Sequence, residues 1–230
     1  MARSVTADEA KNENVAAMGP ELGSIYDALW QELAWVSMKW QQFRELYGCN
    51  PERIDLLNAA AGLFFRVVQD AIWEETLLDL AKLTDPPESR GKPNLSLRRL
   101  PPLVSDTLRA RLEALVEEAV EKTAFARDWR HRHIAHRDLD LALKRGAQPL
   151  LPASRQHVTE ALSAVAAVLN AVNEHYRNST TVFDLGFDEP QGAVSLLYVI
   201  RDGLEVKEKR RRRLKDGKAD PDDLHPPRGV

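Results

Sequence analysis

Residues 20–47, PELGSIYDALWQELAWVSMKWQQFRELY, carry Leu22, Leu29, Val36 and Phe43 at every seventh position, interleaved with Tyr26, Leu33, Trp40 and Tyr47 on the same spacing. Two apolar series offset by three or four residues make one continuous helical face. The spacing predicts a helix of roughly 28 residues, about 40 Å long. Gly48 ends it. Trp30 and Trp35 fall off the stripe, so they either widen the core face or meet a second neighbour.

Asn50-Pro51-Glu52 follows at once as a helix start, with a capping Asn, a Pro in the first turn and an early carboxylate facing the positive end of the dipole. A second long helix is expected to Thr84, its stripe running through Ile54, Leu57, Ala61, Phe64, Val68 and Ile72 and broadening at Leu77, Leu78, Leu80 and Leu83. The run Ala59-Ala60-Ala61-Gly62 would let another helix approach closely. A short turn between two long helices makes them antiparallel neighbours. Asp85-Pro86-Pro87 stops the second helix, and residues 85–94 read as a polar loop.

Ser105 and Asp106 open a third helix with Leu108, Leu112, Leu115 and Ala119 inward; no Pro or Gly intervenes between Val104 and Gly146. Ser154 caps a fourth, to Tyr176, and Asp188-Glu189-Pro190 signals the start of a fifth. The expectation is an all-α protein: a bundle of about five helices with long antiparallel members. Residues 1–19 read as a flexible lead-in, 20–206 as one helical domain, and 207–230 as a flexible tail, first basic (KEKRRRRLK) and then rich in Pro and Asp.

Composition narrows the function. A formal net charge of -3 argues against wholesale coating of nucleic acid, so any such role belongs to a local patch. One cysteine, Cys49, forms neither an internal disulfide nor a cysteine zinc cluster, and no run of about 18 apolar residues is present. A cytoplasmic protein without membrane association is expected.

One patch stands out. Between Arg127 and Asp140 the chain reads RDWRHRHIAHRDLD, placing Arg127, Arg130, His131, Arg132, His133, His136 and Arg137 within one short window. Arginine is a fixed fork of donors matched to phosphate, and histidine exchanges protons near neutral pH. A solvated helix end is the plain explanation, since cations there complement the dipole. A three-histidine metal site is the second, but residues two apart on a helix point about 200° apart, which separates His131 from His133; no metal or other cofactor is expected. The third is cleavage of RNA, which brings its own nucleophile, the 2′-hydroxyl, and needs a proton carrier and cationic donors at the phosphate. A two-fold dimer would bring two copies of the stretch into one cleft.

The segment Arg130-His131-Arg132-His133-Ile134-Ala135-His136 fits the Arg, four to six residues, His motif of the HEPN superfamily. The longer string RDWRHRHIAHRDL, with LAKLTDPPES and KPNLSLRRL upstream, resembles its AbiU-type abortive-infection branch, from about residue 24 to residue 178. The resemblance implies a helical bundle, usually dimeric, and in active members a metal-independent endoribonuclease acting as a toxin or phage-defence effector; other members bind without cleaving. It assigns Arg130 and His136 as the catalytic pair. Arg127, His131, Arg132, His133 and Arg137 would contact RNA phosphate, and Arg132, an i, i+4 neighbour of His136, is the alternative to Arg130. Glu74, Glu75 and Asp79 are candidates to orient His136. RNA, a second copy of the chain, and an antitoxin or regulatory protein are the expected partners. Two residues after the motif His, where related toxins carry a modifiable Tyr, this chain has Asp138.

Overall fold

The computed structural model describes residues 6–184 and 192–224. Its helices are α1 (Ala7–Met18), α2 (Pro20–Tyr47), α3 (Pro51–Leu83), α4 (Asp106–Lys122), α5 (Ala124–Trp129), α6 (Leu139–Ala142), α7 (Arg155–Arg177) and α8 (Ala193–Lys215). The architecture is all-α, with α2, α3, α4, α7 and α8 as the five long helices. Strand pairing among the described residues is confined to β1 (Glu88–Ser89) and β2 (Lys92–Pro93), joined by Arg90 and Gly91, both at positive φ as a tight two-residue hairpin requires. This hairpin lies in the stretch expected to be a loop. The chain divides into two compact units, Met1–Trp40 with Ile72–Leu185 and Gln41–Ala71 with Gly186–Val230.

In the first unit the α2 stripe is the core. Leu22, Tyr26, Leu29, Leu33, Val36 and Trp40 are all buried, with Leu29, Leu33 and Val36 wholly so. Burying each such side chain contributes about 1.5–3 kcal/mol. Of the two off-stripe tryptophans, Trp30 packs on Phe183 and donates to the Thr181 hydroxyl, whereas Trp35 is mostly exposed. The end of α3 returns antiparallel beside α2, with Trp73 on Trp40 and Glu75 and Asp79 on Lys39. Helices α4 and α7 pack along each other, also antiparallel, and ion pairs Arg111–Glu174 and Lys122–Glu160 flank Leu108, Leu112, Val116, Val158, Val165 and Leu169.

The second unit is built on Leu46, Leu57, Phe65, Ala193 and Leu197. The Tyr47 hydroxyl donates to the Phe65 carbonyl at 2.9 Å, and Arg53 pairs with Glu45. Here one expectation fails. Ala61 leaves helical geometry (φ −161°, ψ 66°), and the kink shifts the phase of α3, so Phe65 is buried in place of Phe64, which is 61% exposed. The alanine run that looked like a close-approach surface is exposed beside this break.

The ends also differ from expectation. Instead of a flexible lead-in, residues 7–18 form α1, started by a capping box between Thr6 and Glu9. It is attached through polar groups, which hydrophobic periodicity does not register. Asn14, buried, donates to Asp27 at 3.0 Å and accepts from Arg177 at 2.7 Å. At the other end the basic run is the last part of α8, and Arg213 returns to the buried Asp223, whose carboxyl it holds well below the usual carboxylate range. The helix-start signal at residues 188–190 lies outside the described residues; α8 begins at Ala193 after Gly192.

Helix α1 sits so close to α2 that a Cβ on Gly23 would come within 2.6 Å of the Val15 Cα and 2.7 Å of the Asn14 carbonyl oxygen, both backbone atoms. Gly23→Ala will therefore destabilise the protein by about 1–3 kcal/mol and release α1, seen as a lower Tm and loss of hydrogen-exchange protection over residues 7–18. Gly203→Ala, in α8 where a Cβ meets nothing within 4 Å, will raise stability by about 0.5–1 kcal/mol.

Candidate functional site

The Arg/His stretch belongs to the first unit. It does not continue α4 unbroken. At Thr123 the helix is interrupted, because this fully buried residue turns its hydroxyl back on the Ala119 carbonyl and meets the Thr84 hydroxyl at 2.7 Å. α5 then runs to Trp129, and residues Arg130–Ile134 form one π-helical turn closed by the Ala135 N–H on the Arg130 carbonyl at 2.8 Å. His136 follows in a bend, beyond the helix, so ideal helical spacing does not describe its relation to Arg130.

Each candidate has a distinct environment. Arg127 faces inward and donates to both threonine hydroxyls, Thr84 and Thr123, at 2.7 Å, and to the Val120 carbonyl. Burial, with Arg98 and Arg130 nearby, lowers its pKa against the opposing pull of Asp85. Arg130 forms a bidentate pair with Asp85, at 2.7 and 2.9 Å, with side chains 17% and 19% exposed. Its outer nitrogen also lies 3.0 Å from His131 Nε2. Arg132 pairs with Asp128 at 3.4 Å and Asp138 at 3.6 Å and donates to the carbonyls of Gln148 and Pro149. With Trp129 donating to the Leu151 carbonyl and Asp128 accepting from the Leu151 N–H, it fastens residues 148–151 to the stretch.

His133 stacks edge-on against Trp129 and faces Glu74 at 3.9 Å. The three histidines thus do not converge: among the described residues no group of three or more His, Cys, Asp or Glu is placed to hold a metal ion. His136 and Arg137 are exposed and make no hydrogen bond or ion pair among the described residues. Arg137 lines a hollow of about 330 Å³ with Arg132, His133 and Asp138. The Asp138 carboxyl is held below the usual range, first by the Leu141 N–H that it caps and also by Arg132.

The carboxylates on α3 divide differently from expectation. Glu74 faces His133, not His136. Glu75 and Asp79 instead hold Lys39, whose pKa is raised because these hydrogen bonds and charges together outweigh burial, the largest opposing effect. The carboxylate that hydrogen-bonds a motif arginine is Asp85, just beyond α3. In the sequence Asp85 reads as a helix stop, although its place directly after a helix end, ahead of Pro86-Pro87, fixes a carboxylate where a cationic cluster needs one.

The chain matches the AbiU2 family of HEPN domains over residues 19–195, which takes in α2 to α7 and the whole Arg/His stretch. The protein belongs to the HEPN AbiU2 family. No curated protein and no solved structure gives a significant match. The LTDP segment of the resemblance contributes Thr84 and Asp85, the two residues that bind Arg127 and Arg130. No helix among the described residues is long and apolar enough to cross a membrane.

Asp85→Asn will remove the charged half of the clamp on Arg130 and lower stability by about 1.5–3 kcal/mol in urea titration. His136→Ala, which leaves no partner behind among the described residues, will change it by less than about 0.5 kcal/mol.

Proposed function

We propose that this HEPN AbiU2 protein is a metal-independent endoribonuclease of phage defence, with Arg130 and His136 as its catalytic pair. What carries the reading is the contrast between them: Asp85 holds the Arg130 guanidinium by one edge, while His136 stands exposed just beyond the helix end with no hydrogen bond or ion pair among the described residues. A guanidinium held in place has little orientational freedom to lose when a phosphate arrives. An uncommitted imidazole is free to take and return a proton.

In this reaction the 2′-oxygen attacks the adjacent phosphorus and its proton passes to His136. The bond from phosphorus to the 5′-oxygen breaks, and a second copy of His136, across a two-fold axis, protonates the departing oxygen. The products are a 2′,3′-cyclic phosphate and a 5′-hydroxyl. Arg130 offsets the charge that builds on the phosphorane, and Arg137, with His131, holds the flanking backbone.

A second reading keeps the basic surface but has it bind RNA, a nucleotide or a partner protein without cutting. The observation in its favour is that Arg127, Arg130 and Arg132 already have acceptors within the chain.

Purified protein incubated with single-stranded RNA and EDTA separates the two. The expected result is cleavage that His136→Ala and Arg130→Ala each slow by about 100-fold or more. Retention of RNA without cutting favours the second reading, and equal cutting by the variants removes the catalytic assignment. Expression of the wild type, but not of His136→Ala, is expected to arrest growth.

A further inference from the structure

Between the LTDPPES and NLSLRRL segments the chain builds a small arm, residues 85–99, that grows out of the end of α3. Its hairpin, β1 and β2, is braced at the base. The Arg99 guanidinium donates to the Asn94 carbonyl at 2.6 Å and the Pro87 carbonyl at 2.8 Å, and the Asn94 amide donates to the Pro86 carbonyl and the Ser89 hydroxyl, both at 2.8 Å. The arm is fastened in turn to the two residues that hold the Arg/His stretch. Buried Ser96 donates to the Asp85 carbonyl, and Arg98 Nε donates to the Thr84 carbonyl at 3.1 Å. Arm and stretch share one anchor within the first unit.

Three guanidinium groups therefore meet on two consecutive residues. Thr84 takes Arg98 through its carbonyl and Arg127 through its hydroxyl, and the Asp85 carboxylate takes Arg130. A carbonyl or hydroxyl does not neutralise a guanidinium, so positive charge is left over for an anion to offset. Arg127 is turned inward, but Arg98 is bound only through Nε, and its terminal nitrogens have no hydrogen bond or ion pair among the described residues. The hairpin tip repeats the pattern. Residues 88–93, ESRGKP, bring two cations and one carboxylate, and Arg90 and Lys92 are exposed with no hydrogen bond or ion pair among the described residues. Arg90 also sits at φ 53°, beside Gly91 at 75°. Turns of this kind favour Asn, Asp or Gly at the first position, and an arginine there costs backbone energy with no contact inside the chain to offset it. The reason for that arginine lies outside the chain.

We propose, resting on the ribonuclease reading, that residues 88–99 are a rigid arm carrying the RNA backbone away from the cut. Arg98 takes the phosphate next to the one at Arg130, and Arg90 and Lys92 take phosphates further along the same strand. Arg90 follows Asp85 by five residues, so the backbone of the tip stands no more than about 18 Å from it, a span that a strand covers in a few nucleotides. These contacts are to phosphate and not to base edges, so the arm selects for length of strand and leaves sequence unread. Because its base is already braced, the hairpin loses little freedom when the strand arrives. The substrate class that follows is a continuous strand several nucleotides long; a dinucleotide meets Arg130 without meeting the tip.

The test is titration of a single-stranded RNA of about a dozen nucleotides into the full chain in EDTA, with His136→Ala present throughout so that binding is read without cutting. Adding Arg90→Gly and Lys92→Ala together is expected to weaken binding by about tenfold and to lower the slope of log affinity against log salt by about 1.4. Tm should stay the same or rise, since glycine relieves the positive φ, so lost affinity would not come from lost structure. Arg98→Gln should weaken binding as well. The charge-matched pair Lys11→Ala with Lys218→Ala, both exposed, should cost far less. If the hairpin variant binds as tightly as its parent, or the charge-matched pair loses as much, the proposal is wrong. Cutting by the wild type beside unchanged binding by the hairpin variant would remove this proposal and keep the ribonuclease reading. Arm-dependent binding by a chain that never cuts would do the reverse, and no RNA binding at all would remove both.

Discussion

Two adjacent residues at the end of α3, Thr84 and Asp85, hold the Arg/His stretch in place. Thr84 joins Thr123 and Arg127 in a buried hydroxyl and guanidinium cluster, and Asp85 takes Arg130 in a bidentate pair. The break between α4 and α5, the direction in which the π-helical turn leaves α5 and the orientation of the Arg130 guanidinium all follow from these bonds. A guanidinium this deeply placed would be costly to desolvate without its carboxylate. With it, one edge is neutralised and the group becomes a fixed element of the site. HEPN membership gives the stretch its functional setting, and the α3 terminus gives it its geometry.

Division of labour among the arginines follows from the same bonds. Arg127 serves the core, Arg132 fastens residues 148–151, and Arg130 lies between these roles, held by Asp85 and touching His131. Charge density in the sequence therefore overstates the number of cations available to a phosphate. His136 and Arg137, which follow the last turn, are exposed and without a hydrogen-bond or ion-pair partner among the described residues, and the proposed chemistry rests on them together with Arg130.

The long helices were legible because their cores obey a simple period. Every residue of the α2 stripe from Leu22 to Phe43 is buried, and caps at Asn50 and Ser154 mark helix starts correctly. What escaped the sequence has physical causes. Ala61 carries no side-chain signal of a kink, yet the kink exchanges Phe64 for Phe65 in the core. α1 docks through Asn14, Asp27 and Arg177, a polar network that periodicity cannot register. Buried Thr123 looks like any other helical threonine until Thr84 lies opposite it. In the site, the cationic and histidine candidates were visible as a cluster, but the partners that fix Arg127 and Arg130 to the end of α3, Thr84 and Asp85, lie 43 and 45 positions away in the chain, where local spacing is silent.

The proposed reaction turns on which atom attacks the phosphate. It is tested most directly by the ends of the RNA products made in EDTA, identified by mass spectrometry, from a substrate and from the same substrate with 2′-deoxy sugars at the cut sites. Attack by the 2′-hydroxyl gives 2′,3′-cyclic phosphate and 5′-hydroxyl ends from the first and no cleavage of the second. Cleavage of the deoxy-substituted strand, or 5′-phosphate ends, would contradict it.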